Sequence, residues 1–243
     1  MHAPSSTPPL EIYLLGLVDF LELQQFQRRL VYEQAEHPGA ALVLCEHPPT
    51  ISVGRSGSRA HIAAADDELR SLGIAVHWTN RGGGCNLHLP GQLSAYLVMP
   101  LPAGLTLAAY LERLHHAVLG VLDDYELRGS LHRELPGIFL GEARVAMVGV
   151  AVSRWIAYHG LTLNVGPYLD LFELLDEPGF GSAPLRQTSM EARRQRQAPM
   201  SRVRESLIRH LENALGLERH HVYTGHPLIR RKVLSDVFAP SPG

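Results

Sequence analysis

Apolar positions recur at helical spacing in three stretches of the chain. In "DFLELQQFQRRLVYEQ" the repeat predicts a helix running to about Ala35, with Asp19 as its cap and Glu22 completing a capping-box pattern. In "LTLAAYLERLHHAVLGVLDDY", Leu107, Tyr110, Leu111, Leu114, Val118, Val121, Leu122 and Tyr125 form one apolar stripe. The third, "SRVRESLIRHLENALG", starts at Ser201 behind Pro199 and stops at Gly216, a residue suited to a left-handed C-terminal position.

Between these lie short runs rich in β-branched residues: "ALVLC", "IAVHW", "LSAYLVM", "GIFL", "RVAMVGVAV", "WIAYHG" and "LTLNV". "GIFLGEARVAMVGVAV" reads as a hairpin turning at Gly141-Glu142, and "AYHGLTLNV" as another turning near Gly160. The expected class is α+β, a mixed and largely antiparallel sheet with helices packed against one face. Residues 1–10 read as a loose tail, 11–225 as one domain and 226–243 as a C-terminal tail. From Glu177 to Pro199 the text turns to Gly, Ser, Pro, Gln and Arg, which predicts a long loop or a short exposed helix. Its run Arg193, Arg194 and Arg196 reads as a solvated face that can steer an acidic partner.

Composition narrows the classes. A chain of 243 residues with 45% hydrophobic content buries a substantial core. The net charge of −2 leaves no basic footprint for nucleic acid. No apolar run approaches the roughly 18 residues that span a bilayer. The first residues lack the regions of a secretory signal, and Cys45 and Cys85 are too few for a disulfide framework. A soluble cytoplasmic protein with free thiols is expected. Lys232 is the single lysine, so a mechanism needing a lysine elsewhere is excluded.

Four stretches carry a resemblance: "EHPPTISVGR" at 46–55, "RGGGCNLHLPGQL" at 81–93, "GEARVAMVGVAVSRW" at 141–155 and "HGLTLNVGPYLDLF" at 159–172. Together they resemble the octanoyltransferases of lipoate biosynthesis, in the superfamily of lipoate and biotin ligases. The resemblance implies a biotin/lipoate ligase-like catalytic domain. It further implies transfer of octanoyl from acyl carrier protein to a lysine of a lipoyl domain, in a 2-oxoacid dehydrogenase complex or the glycine cleavage H protein. No cofactor, metal, nucleic acid or membrane is implied. Carried over residue by residue, the substrate-binding set is Arg81, Gly82, Gly83, Gly84, Cys85, Asn86, Leu87 and His88, then Met147, Val148 and Gly149, then Gly160, Leu161 and Thr162.

The chain departs from that pattern at two positions. The family's activating lysine falls on Arg144, and its nucleophilic cysteine falls on Gly179 or Phe180, neither of which can attack a thioester. Guanidinium stays protonated, so Arg144 can hold an oxyanion but not act as a base. Three readings follow. Cys85 is a relocated nucleophile, with Arg81 or Arg144 lowering its pKa and His88 taking its proton, or else a small buried hydrophobe. Alternatively the protein is a non-catalytic paralogue that binds an acyl group or a lipoyl domain. In a minor third reading Cys45, His47, Cys85 and His88 hold Zn²⁺. Ser182, Thr188 and Ser189 have no nucleophile-elbow pattern around them; Thr188 and Ser189 read as loop-fixing donors. Trp155 and Tyr158 read as packing residues, and His115 and His116 as helix-surface residues.

Overall fold

The computed structural model describes residues 9–180, 183–217 and 220–233. In chain order the elements are β1 Leu10–Leu17, α1 Phe20–Glu36, β2 Ala40–Glu46, β3 Thr50–Val53, α2 Asp66–Ser71, β4 Ala75–Trp78, β5 Cys85–His88, β6 Gln92–Pro100, α3 Leu107–Asp124, β7 Ser130–Leu131, β8 Ile138–Leu140, β9 Ala143–Ser153, β10 Ile156–Asn164, β11 Arg186–Gln187, α4 Met190–Arg194, α5 Met200–Leu215 and β12 His220–Tyr223. The main sheet runs β12-β1-β2-β6-β10-β9-β8-β7, with β11 beside β9. A second sheet of three strands, β4-β3-β5, stands apart from it. The long central pairs β2–β6, β6–β10 and β10–β9 are antiparallel, while β1 pairs in parallel with both β2 and β12. The sheet is therefore mixed and mostly antiparallel, as expected.

Helices cover both faces rather than one. Leu42, Leu44 and Leu97 point toward α3 and α5, whereas Ala41, Val43, Cys45 and Val98 point toward α1 with Leu23, Phe26 and Leu30. The unbroken apolar run of β2 is what two covered faces require. Each of the leucine, valine and phenylalanine side chains among them contributes about 1.5–3 kcal/mol when fully buried. The small sheet has its own core around Ile51, Val53, Cys85, Leu87 and Phe172.

The helix ends follow the expected chemistry, with one substitution of partner. Asp19 caps α1 by accepting from Leu21 N at 2.9 Å and Glu22 N at 3.1 Å. Glu22, however, accepts from Arg230 N at 2.9 Å instead of closing a capping box. Gly216 ends α5 at φ +69°. The expected C-terminal tail makes contacts as far as Lys232: Val18 bridges Arg231, and Lys232 Nζ lies 3.2 Å from Asp19.

The second expected hairpin is not where Gly160 suggested. β10 runs straight through Gly160, and the turn lies at Arg154-Trp155, both left-handed at φ 51° and 63°. Trp155 is accordingly exposed on that turn rather than packed, while Tyr158 is buried. Gly160 serves a different end: a Cβ there would overlap the Ala95 carbonyl oxygen of the neighbouring strand β6. The expected long loop at 177–199 contains β11 and α4, with Ser189 Oγ accepting from Ala192 N as the cap of α4. Ser182 lies outside the described residues.

Candidate functional site

A narrow cavity of about 20 Å³ lies between the two sheets and the start of α1. Ligand pockets run to about 300–1,000 Å³, so a ligand larger than a water enters only as these walls move apart. Its apolar side chains are Phe20 and Met147; its polar wall is Arg81, Asn86, His88, Tyr96, His159 and Thr162; Gly149 and Gly160 complete it, and Leu161 borders it from β10 with its side chain in the core beneath α3, opposite Val148. The period of two along β5 puts Asn86 and His88 on the cavity side. A Cβ at Gly149 would lie 2.6 Å from Gly82 O, so this glycine lets the Arg81 loop close onto β9.

Arg81 is a buried cation whose partners among the described residues are all neutral oxygens. Nη1 reaches Gly82 O at 3.0 Å, and Nη2 reaches Ser52 O at 2.8 Å, Ser52 Oγ at 2.9 Å and Gly84 O at 3.0 Å. Burial brings its pKa down to about 10, which still leaves it charged at neutral pH. Four acceptors hold the guanidinium without a carboxylate, so its charge remains available to a ligand.

The same contacts assign the His88 tautomer. Ser52 Oγ accepts from Arg81, so its own hydrogen is free to go to His88 Nε2 at 2.8 Å. Asn86 Nδ2 also faces Nε2, at 3.4 Å. Nε2 is therefore an acceptor, and burial, reinforced by His47 and Arg81, holds the ring pKa well below the usual value. A neutral ring that accepts at Nε2 carries its hydrogen on Nδ1, which is buried without a partner among the described residues. His47 is likewise neutral: burial takes it to about 4, with Nδ1 2.7 Å from Val18 O and Nε2 2.8 Å from Tyr96 Oη.

His159 was not singled out by the sequence and belongs to the site. It sits in the left-handed region at φ 61° inside β10, where bulky residues are uncommon, and its Nε2 contacts Asn80 Oδ1 at 3.1 Å. Asn80 in turn bonds Tyr158. Phe20 and Tyr96 were missed as well; both read as ordinary core positions in a helix and a strand.

Of the residues matched by resemblance, Arg81, Asn86, His88, Met147, Gly149, Gly160, Leu161 and Thr162 meet at the cavity. Cys85 and Leu87 point to the other side of β5, into the core of the small sheet. Val148 points into the core beneath α3. Gly82, Gly83 and Gly84 form the adjoining loop, where Gly83 faces Met147 Cε and Gly84 faces Glu177. Cys85 Sγ rests 3.5 Å from Ser58 O and is fully buried. Burial and the Glu177 carboxylate push its thiol pKa up, so Arg81 and Arg144 do not activate it. His88 is not its proton acceptor, since the ring lies on the opposite side of the strand. The set Cys45, His47, Cys85 and His88 does not converge: Cys45 lies 3.6 Å from His47 Nε2 in the core under α1, and Cys85 is in the other core.

Arg144 is committed elsewhere. Its Nη2 pairs with Glu177 Oε2 at 2.6 Å, and the Gln187 amide, oriented to satisfy its neighbours, accepts from Arg144 Nε and Nη2 at 3.2 and 2.9 Å. Gly179 N donates to Ala183 O, and Phe180 packs edge-on against His132 and Phe139, with ring centroids 4.8 and 5.5 Å away. Neither of these two positions lines the cavity.

Residues 19–212 match the family model described as the lipoyl protein ligase A/B catalytic domain. An octanoyltransferase of Syntrophobacter fumaroxidans is 35% identical over 199 residues, covering 81% of this chain and 86% of the relative. One from a Roseiflexus species is 36% identical over 220 residues, covering 88% and 91%. Among solved structures, a bipartite lipoate protein ligase of Thermoplasma acidophilum, analysed with its E2 lipoyl domain, superposes with a TM-score of 0.69 at 18% identity, over 89% of this chain and 88% of the other. That last likeness concerns the fold alone.

Proposed function

Because the chain belongs to the lipoyl protein ligase A/B catalytic-domain family, we propose that it transfers an octanoyl group from an acyl carrier protein thioester to the lysine of a lipoyl domain. The observation that carries this reading is the cavity, where the apolar side chains of Phe20 and Met147 stand against Arg81 and His88. Each methylene buried between these walls gains about 0.8 kcal/mol, a return that an eight-carbon tail draws only as the walls part to admit it. Arg81, fixed by four acceptors, supplies a cation to the carbonyl oxygen as charge develops there. His88 Nδ1–H supplies a neutral donor.

Both thiols lie outside the cavity, so the transfer we propose is direct. The lysine amine attacks the thioester carbonyl, the C–N bond forms, the C–S bond breaks, and the proton lost by the amine leaves with the carrier thiol. Such protein substrates fit a cytoplasmic location, and no helix among the described residues is long and apolar enough to cross a membrane.

A second reading, binding of the acyl group or lipoyl domain without transfer, is favoured by one observation: Arg144 is paired with Glu177 and does not line the cavity. One experiment separates the two. Octanoyl-carrier protein and purified lipoyl domain are mixed with a substoichiometric amount of the chain, and the domain's intact mass is followed. More than one octanoylated domain per chain supports transfer. Acyl binding with no modified domain supports the second reading, and absence of both overturns each.

A further inference from the structure

On the side of β5 away from the cavity, three side chains from separate segments converge. His61 ends the 3-10 turn Arg59–His61, Cys85 opens β5, and Glu177 follows the bridge between Ile62 and Leu175. One ring nitrogen, Sγ and one carboxylate oxygen lie within 4.8 Å of one another. Main-chain bonds fix the approach: Asp176 N donates to His61 O at 2.8 Å and Ala63 N to Leu174 O at 2.9 Å.

We propose that His61, Cys85 and Glu177 bind a transition-metal dication, Zn²⁺ in the first place. The donor set of imidazole, thiol and carboxylate suits that cation; Ca²⁺ and Mg²⁺ take oxygen ligands. Glu177 can serve two cations, because Oε2 is taken by Arg144 while Oε1 lies over Gly84, where any Cβ would collide with it. Independently, His61 Nδ1 is buried and has no hydrogen-bond partner among the described residues. An unpaired buried ring nitrogen is costly, and a metal or its bound water satisfies it.

Three protein ligands leave one tetrahedral position for water. On binding, the Sγ–H bond breaks, the proton leaves to solvent and an S–metal bond forms. Thiolate and carboxylate then offset the dication, and Arg144 stays paired. The metal would tie the 59–61 turn and the segment carrying Glu177 to β5, directly behind the Arg81–His88 wall. This site shares only Cys85 with the four-residue set suggested by the sequence, and it does not depend on acyl transfer.

The test uses the full chain after chelator treatment, titrated with Co²⁺ and then Zn²⁺. A thiolate-to-cobalt charge-transfer band saturating at one equivalent and bleached by Zn²⁺ is expected, with one zinc per chain after dialysis. Cys85→Ser should abolish the band and His61→Ala should weaken binding by about tenfold or more, by analogy with lost metal-supporting groups, while Cys45→Ala leaves both unchanged. If buried Cys85→Ser does not fold, His61→Ala carries the test, since that ring is only partly buried. No band on the wild type, a band surviving Cys85→Ser or lost with Cys45→Ala, or unchanged affinity in His61→Ala each overturns the site.

Discussion

Arg144 and Glu177 form an ion pair 2.6 Å long whose side chains are 3% and 9% exposed. Removing one partner strands a buried charge. We therefore expect Glu177→Ala to cost about 3–5 kcal/mol, and the double variant Arg144→Met with Glu177→Leu to recover most of it. Urea unfolding in the presence of a chelator measures both without any contribution from bound metal. A cost under about 1 kcal/mol for Glu177→Ala would mean that the pair does not hold the 177–187 segment onto β9.

Gly149 decides how closely the Arg81 loop approaches the sheet. In Gly149→Ala the new Cβ meets Gly82 O at 2.6 Å, and the loop must move outward. The expected loss is about 1–3 kcal/mol of stability, as for other overpacked sites. Affinity for octanoyl-pantetheine, read by calorimetry, should fall more than stability does, because Arg81 and the cavity wall move together. Unchanged affinity would dissociate the cavity from acyl binding.

What the sequence made legible here was mostly local. Asp19 and Gly216 mark helix ends because caps act through their nearest neighbours. Gly160 misled for the opposite reason: its meaning lies in the Ala95 carbonyl, distant in sequence and adjacent only in the sheet. The alternation of Cys85 and Leu87 with Asn86 and His88 was visible in the string. Which side faced the cavity was not, since all four are buried. Glu177 and His61 had no local signal at all, as each gains its role from segments brought together by the Ile62–Leu175 bridge. The turn at Arg154-Trp155 escaped because neither residue is one that usually adopts the left-handed conformation.

The two thiols provide a direct check on their placement. Cys45 and Cys85 are both 0% exposed. A thiol-reactive chromophore should label neither in the native chain within minutes, and both after denaturation. Burial also pushes both thiol pKa values up, which suppresses the reactive thiolate further. Rapid native labelling of Cys85 would restore it as a candidate nucleophile and set aside the direct transfer proposed above.

Buried neutral histidines give the fold an acid-side weakness. Burial holds His47 at about 4 and His159 at about 3, against about 6.5 in the unfolded chain. Above pH 6.5 both states are neutral and these rings add no pH dependence. Below it the unfolded chain takes up protons that the native rings refuse, so stability falls by about 1.4 kcal/mol per pH unit per ring. The fall ends only when each native ring protonates, near pH 4 and pH 3. Between pH 7 and 5 each ring should cost about 2 kcal/mol. His159→Asn keeps a residue tolerant of the left-handed backbone and removes the titration. Its unfolding free energy should therefore lose about 2 kcal/mol less than the wild type over that interval, in urea titrations at the two pH values. An identical slope in the variant would show that His159 is protonated in the native state and that its contact with Asn80 is made by a cation.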